Sequence, residues 1–482
     1  MKLSKSLNHS ESGTPKHMSH RVSLIKSCIF AASMIACGMT STAYAGGLFV
    51  TLGGVANTGR AAAAVVSTRD PNAIAYNPAL IALGDGHQLL VDVTWGMLQF
   101  EFQRAPWVEE NGTVTTFDKV ENQAKGVAIP QVLFTTDFGT DCIGLGVGVF
   151  PPNAAPVSFP LDGAQRYAIV NMANTIAFTT EIAFAWRPLE WLSIGAGFQN
   201  VTFVFKGTGI SSTYFGVLSQ PEDPDMDSVI SVDATDYFTP SANFGIWARP
   251  VEGFEIGLAF QLFADLKSEG GKFKTALPNH YVFERSQVRG KGMDMAFSLP
   301  WTLKLGLRYE YNNLFDIELD AWYSRWSRQK ELKLYSHDVY LYSNALVDDV
   351  HVDDYVVPRE MKDTFGFSIG SDVHVLPELT VRGGFLYESG AAKDELYSAF
   401  LYDNHKLGPT VGLSYHINHI VRLDFAFAHI HQLPKTVKNG TFKQYNFVYP
   451  EMAHATNNGD YKSFYDFIGI GANFTFGGEK DE

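Results

Sequence analysis

The chain has 482 residues, with 37 Lys and Arg against 51 Asp and Glu, 46% hydrophobic and 13% aromatic residues, 43 glycines and three cysteines. The acidic balance disfavours a nucleic-acid partner, which needs a basic surface to meet phosphates. With so few cysteines there is no disulfide framework, so stability must come from elsewhere; a closed sheet with every backbone group paired would supply it.

Residues 17–45 read as a secretory signal: Arg21 and Lys26, an apolar stretch from Cys28 to Ala36, then the small-residue site Ala43-Tyr44-Ala45. Residues 1–17 are polar and irregular, either an extended n-region or a segment upstream of a start at Met18. A lipoprotein cut before Cys37 is the weaker alternative, because Met34 suits its first position poorly. Cleavage after Ala45 removes five of the basic residues and one of the acidic ones, taking the net charge from −14 to −18 and leaving Cys142 as the one cysteine. No later apolar run approaches the roughly 20 residues of a transmembrane helix.

Residues 46–86 are Gly-rich, then Ala-rich, and end in Asp70-Pro71-Asn72-Ala73-Ile74-Ala75-Tyr76-Asn77-Pro78-Ala79-Leu80. Asp70 followed by Pro71 predicts a helix start, and Pro78 should break or kink that helix.

From residue 87 the pattern changes to period two. Val421, Leu423, Phe425 and Phe427 alternate with Arg422, Asp424, Ala426 and Ala428; Ile317, Leu319, Ala321 and Tyr323 alternate with Asp316, Glu318, Asp320 and Trp322. Such alternation marks strands with one apolar face. Fourteen segments follow it, near 87–103, 126–137, 141–150, 173–187, 190–206, 229–249, 253–268, 291–310, 313–329, 361–375, 378–388, 406–417, 420–432 and 463–476. Every even-to-odd link is short, as at Pro188-Leu189, Asn312-Asn313 and Asn418-His419, while every odd-to-even link is long. Strict alternation of this kind belongs to an outer-membrane barrel with tight periplasmic turns and long extracellular loops. Trp186, Trp191 and Trp247 near the predicted turns suit the membrane interface.

The expected fold is therefore all-β: a 14-stranded antiparallel transmembrane barrel over 87–476, an N-terminal hatch of short helices over 46–86, and a polar tail over 477–482. Fourteen strands enclose a lumen that a plug must fill or that becomes a pore. The natural place for residues 46–86 is inside it. The terminal Phe474-Thr475-Phe476 resembles the signal read by the barrel-assembly machinery.

Gly59-Arg60, Asp70 and Asn77-Pro78-Ala79-Leu80, placed directly before the first strand, resemble the hatch of the FadL family of outer-membrane transporters of long-chain fatty acids and other hydrophobic compounds. The likeness extends to Gly144, Gly146, Gly148 and Phe150 leading into Pro151-Pro152, and to Gln165-Arg166-Tyr167-Ala168. The resemblance implies passive uptake: a hydrophobic ligand binds among the extracellular loops, the hatch (Gly59, Arg60, Asp70, Asn77, Pro78, Ala79) shifts, and the ligand leaves sideways at the third strand (Gly144, Gly146, Gly148, Phe150). It also implies a monomer in contact with outer-membrane lipid and lipopolysaccharide, with no cofactor, no metal and no enzymatic activity. A Gly-rich third strand suits a local break in pairing, or equally a tight seat for the hatch.

Arg166 is the first candidate for a ligand carboxylate, because guanidinium binds carboxylates bidentately; a loop pair with Asp162 is the alternative. Leu161, Tyr167, Ile169 and Val170 could form an apolar surface beside it. Lys304, Arg308, Asp316, Glu318 and Asp320 are expected to face inward as a charge ladder. His429 and His431 read as interfacial rather than metal ligands, His416 and His419 flank a turn, and Asp348, Asp349, Asp353 and Asp354 read as a solvated acidic loop. Two competing classes are a general polar porin, against which a plug argues, and a barrel enzyme, for which no nucleophile and base pair stands out.

Overall fold

The computed structural model describes residues 52–108, 112–151, 156–216, 219–342 and 349–477. The expected signal segment, the start of the hatch, Pro152, Asp348 and residues 478–482 of the tail lie outside the described residues.

Fourteen staves form the wall: β1 His87–Arg104, β2 Val127–Thr136, β3 Ile143–Phe150, β4 Ile176–Leu189, β5 Leu192–Ser212 and β6 Asp227–Val251. β7 runs in pieces over Phe254–Gln261, Ala264–Lys267 and Lys272–Ala276; β8 over Gly292–Leu299 and Thr302–Tyr311; β9 over Phe315–Ser324 and Glu331–His337; β10 over Tyr355–Pro358 and Thr364–Leu376. β11 Leu379–Glu388, β12 Lys406–His416, β13 Val421–Val437 and β14 Gly459–Phe476 complete the sheet. Each stave pairs antiparallel with the next, and β14 returns to β1 from Phe476↔His87 to Gly459↔Arg104, so the sheet closes without an edge. Short and long links alternate as the sequence requires. At one short link Asn312 and Asn313 both have positive φ (48° and 52°), as a tight hairpin turn demands.

The burial pattern is inverted relative to a soluble protein. Leu423, Phe425, Ile317, Leu319, Phe244 and Ile246 are all at least 40% exposed, whereas Asp424, Asp316, Glu318, Asp320 and Asn243 on the opposite faces are buried. An apolar outer face with a polar interior is what lipid requires of a strand wall. Trp186 and Trp191 lie on that outer face, but Trp247 does not: it is buried at 2% and packs inward against Ile74, Ala79 and other hatch residues. One-residue parity decides this, since Ile246 takes the outer position.

Candidate functional site

The hatch occupies the lumen. It comprises α1 Val55–Thr58, α2 Ala73–Tyr76 and a 3-10 turn Pro78–Leu83. The helix start expected at Asp70-Pro71 lies two residues later, at Asn72, because the Asp70 carboxylate accepts the N–H of Asn72 (3.0 Å) and forms a turn ahead of the helix. Pro78 does end α2 and opens the next turn, for which Asn77 Oδ1 accepts the N–H of Ala79 (3.2 Å).

Charges on the wall hold this plug. Arg60 is buried and meets Asp372 at 2.9 Å, Asp316 at 3.2 Å and Glu318 at 3.3 Å. Burial alone would lower its pKa, but these three carboxylates raise it, so the guanidinium stays charged. Asp70 pairs with Arg422 at 2.6 Å and Arg69 with Glu255 at 2.8 Å. Asp320 accepts the N–H of Ala64 (2.8 Å) and of Val65 (3.1 Å), while Glu318 accepts Val66 (2.7 Å) and Ser67 (3.1 Å). These bonds brace Ala61 and Ala62, whose left-handed φ values of 57° and 59° are unfavourable for alanine. The expected charge ladder of Arg308, Asp316, Glu318 and Asp320 therefore exists, but it grips the hatch instead of lining open water. Lys304 also faces inward, 5.1 Å from the ring centre of hatch Tyr76.

Glycines form the seat. A Cβ on Gly195 would lie 2.5 Å from backbone atoms of Pro78 and Ala79, and one on Gly245 would lie 1.9 Å from Asn77 Oδ1. Asn77 Nδ2 donates to the carbonyl of Val65 at 2.8 Å and to that of Ile246 at 3.2 Å, tying hatch to wall. Gly59 packs against Gly412, and Gly144 and Gly146 pack against Ile81 and Ile74. Gly144 and Gly146 thus act as a seat, while Gly148 faces Leu133 of β2. On the periplasmic-turn side of the hatch lies a cavity of about 330 Å³ lined by Arg60, Asp70, Arg308, His374, His416 and Arg422.

β3 is nevertheless the weak point of the wall there. Among the described residues its ladder to β2 runs from Val132↔Val149 to Thr136↔Leu145 and stops short of Gln131 and Pro130, and Pro130 lacks a donor. The β3–β4 ladder likewise ends, among the described residues, at Phe150↔Thr179. Val157 and Phe159 are buried and belong to the interior apolar core. Above the hatch the lumen is aromatic: Phe100 lies 4.6 Å from Tyr402 and 5.5 Å from Phe159, and Phe102 stacks on Tyr461 at 4.4 Å. This core is continuous with Tyr76 of the hatch.

Arg166 is not free. Its Nε meets Asp227 at 2.8 Å, and its Nη2 donates to the Glu222 carbonyl (2.8 Å). The partner is Asp227 of β6 rather than Asp162. Tyr167, Ile169 and Val170 are buried at 4–5%, with Tyr167 donating to Asp227 at 2.8 Å; of this group only Leu161 is exposed, at 51%. The expected apolar surface is interior packing, because the segment after Pro156 folds into the barrel. His429 faces outward and pairs with Asp466 at 2.7 Å; among the described residues no group of three or more potential ligands could hold a metal.

Among the described residues, one fully buried arginine that the sequence reading missed has no carboxylate partner. Arg359, in the break between the two pieces of β10, is fully buried. Its Nη1 donates to the Phe400 carbonyl at 3.2 Å and its guanidinium lies 4.2 Å from the Phe400 ring centre, but Nε and Nη2 have no partner. Arg60, Arg104, Arg166, Arg382 and Lys406, also buried, each meet a carboxylate; Arg359 meets none among the described residues. The neighbouring Gln329, 1% exposed, has both side-chain polar atoms unpartnered. The two are juxtaposed because Lys330 O accepts the Arg359 N–H and Gln329 O accepts that of Met361.

Comparison with known proteins agrees with this geometry. The family profile described as "Outer membrane protein transport protein (OMPP1/FadL/TodX)" matches residues 36–476. A "47 kDa outer membrane protein" of Pasteurella multocida (strain Pm70) is 26% identical over 225 residues, which is 44% of this chain and 47% of the relative; the match thus spans about half of that relative's length. A Pseudomonas aeruginosa FadL homologue has the same fold, with a TM-score of 0.74 at 14% identity, covering 90% of this chain and 100% of that one. The P. putida toluene transporter TodX (TM-score 0.57, 15% identity, 91% and 96% covered) and the monoaromatic hydrocarbon channel CymD (0.59, 14%, 89% and 98%) are similar in fold. A plugged 14-stranded barrel with a profile match over nearly its whole length places this chain in the OMPP1/FadL/TodX family of outer-membrane transport proteins.

Proposed function

We propose that the protein carries long-chain fatty acids passively across the outer membrane, from the loop region into the aromatic lumen and out sideways at β3. The observation that carries the acid over a plain hydrocarbon is Arg359. An arginine cannot shed its proton, and a buried, unpaired guanidinium is costly. A ligand carboxylate would supply the missing anion, with Gln329 as a second donor. An acyl chain gains about 0.8 kcal/mol per buried CH₂, so the aromatic core suits its tail. The short β2–β3 ladder supports a sideways exit, since among the described residues five residue pairs join the two staves.

The test is selective. Arg359→Met should weaken oleate binding to the purified barrel by about tenfold or more, following the 1.5–3 kcal/mol typical of a charged hydrogen bond. It should leave binding of a hydrocarbon of equal length unchanged. Equal losses for both ligands, or none for oleate, would remove the carboxylate assignment.

A further inference from the structure

The wall has a second discontinuity, well apart from β3. β6 pairs with β7 over Asn243–Val251 and again over Val229–Asp233, but from Ala234 to Ala242 no ladder pair joins them. Along this stretch the middle piece of β7 keeps its ladder to β8, so the gap lies on its β6 edge alone. Across the seam, one backbone bond remains among the described residues, Leu262 N–H to Ala242 O at 2.8 Å. The rest is held by side chains: Asp236 accepts the N–H of Lys267 (2.8 Å), and Ser241 Oγ donates to the carbonyls of Leu262 and Phe263 (3.2 and 3.3 Å).

The seam also has an outer lip and an inner door. A bulge sets Tyr237 and Phe238 opposite the single residue Thr202 of β5, and throws both rings outward, 76% and 66% exposed. They stand on the same stave as the lipid-facing Phe244 and Ile246. Aromatic rings at that position belong to the lipid–water boundary. Inside, Phe203 of β5 and Phe297 of β8 reach behind β6 and β7, and their rings meet edge to face at 4.9 Å. Both belong to the buried core that continues to Tyr76 and the hatch. Staves 5 and 8 thus touch one another across the inner side of the gap that staves 6 and 7 leave.

We infer that the β6–β7 seam is a second lateral portal, through which a single-chain hydrophobic molecule passes between the outer leaflet and the lumen. Tyr237 and Phe238 receive the chain, and the Phe203–Phe297 contact opens to admit it. Parting the seam takes loss of the Asp236 and Ser241 bridges, of the Gln261 amide bonds to Ser241 Oγ and the Ala242 carbonyl, and of the single Leu262–Ala242 backbone bond; side-chain bridges are replaceable by water at the interface where a full ladder is not. The inference rests on the reading of the lumen as a hydrophobic path.

Asp236→Cys with Lys267→Cys, in a Cys142→Ser background, allows a cleavable thiol-reactive linker to close the seam in the folded barrel. Oleate entry into proteoliposomes is compared for the same preparation before linking, after it, and after cleavage. Linking should lower the initial rate at least twofold, and cleavage should restore it; equal rates throughout overturn the portal. A barrel that moves no oleate before linking overturns the channel reading instead. In that case the portal is read by photolabelling with diazirine-bearing palmitate in the membrane: label on peptides holding both Phe238 and Phe297, lost on linking, is expected. Label that linking does not change, or none, overturns it.

Discussion

Glu222 shows how much one loop residue can control. It is buried among Arg104 of β1, at 2.7 Å, and His454 of the last long loop. Burial pushes its carboxyl up, but hydrogen bonds and charge from His454 and Arg104 outweigh that and hold it at about 2, against an ordinary 4.5. A depressed carboxylate contributes stability above its unfolded value and loses it as pH falls through the folded one. The contact between the 213–226 and 438–458 loops should therefore be intact above about pH 4.5 and fade toward pH 2. Amide protection in the two loops, the exchange rate divided into the intrinsic rate at each pH, should fall between pH 6 and pH 3, and Glu222→Gln should abolish that fall. Protection flat with pH in the parent would contradict this. None of it was legible beforehand, because 118 residues separate Arg104 from Glu222. Arg166 and Arg359 teach the same lesson. Both are loop or break arginines in sequence, and only the three-dimensional placement of Asp227 decides which one is already satisfied.

At the scale of elements, the hatch was readable and its anchoring only in part. A segment without alternation, carrying Asn77-Pro78-Ala79, stood out against fourteen alternating ones. The inward acidic positions of β9 were readable from parity. Their partners were not, since Arg60 lies some 256 residues from Asp316. The helix start was misplaced by two residues because Asp70 caps a turn and reaches Arg422 instead of capping a helix. Wall glycines read as weak strand positions; their use as a seat required the hatch to be in place. Gly245→Val would press on Asn77 Oδ1 and dislodge the turn that Asn77 holds. It should leave the barrel folded, with unchanged heat-modifiable mobility, and raise single-channel leak. Deleting residues 70–82 should raise it further. Leak equal to that of the parent in both variants would show that the turn does not seal the lumen. Arg60→Ala is expected to act likewise, because it leaves Asp316, Glu318 and Asp372 facing one another, and breaking a buried pair typically costs about 3–5 kcal/mol.

The whole molecule is an inverted solution to the folding problem: apolar side chains outward, charges inward, and an N-terminal segment spent on neutralising those charges. The closed sheet and its loop asymmetry follow from periodicity alone. The wall breaks, at β2–β3 and at β6–β7, do not, because alternation continues across them and only the hydrogen-bond register reveals where pairing stops. A barrel whose lumen holds a braced hatch, with aromatic side chains above it, should move hydrophobic molecules without passing water and ions. The direct measurement reconstitutes the barrel in a planar bilayer and in proteoliposomes, recording ionic current and oleate entry on the same preparation. Oleate entry well above protein-free vesicles, with only brief, small current events, is the result expected here. A large, steady ionic current without oleate entry would contradict it.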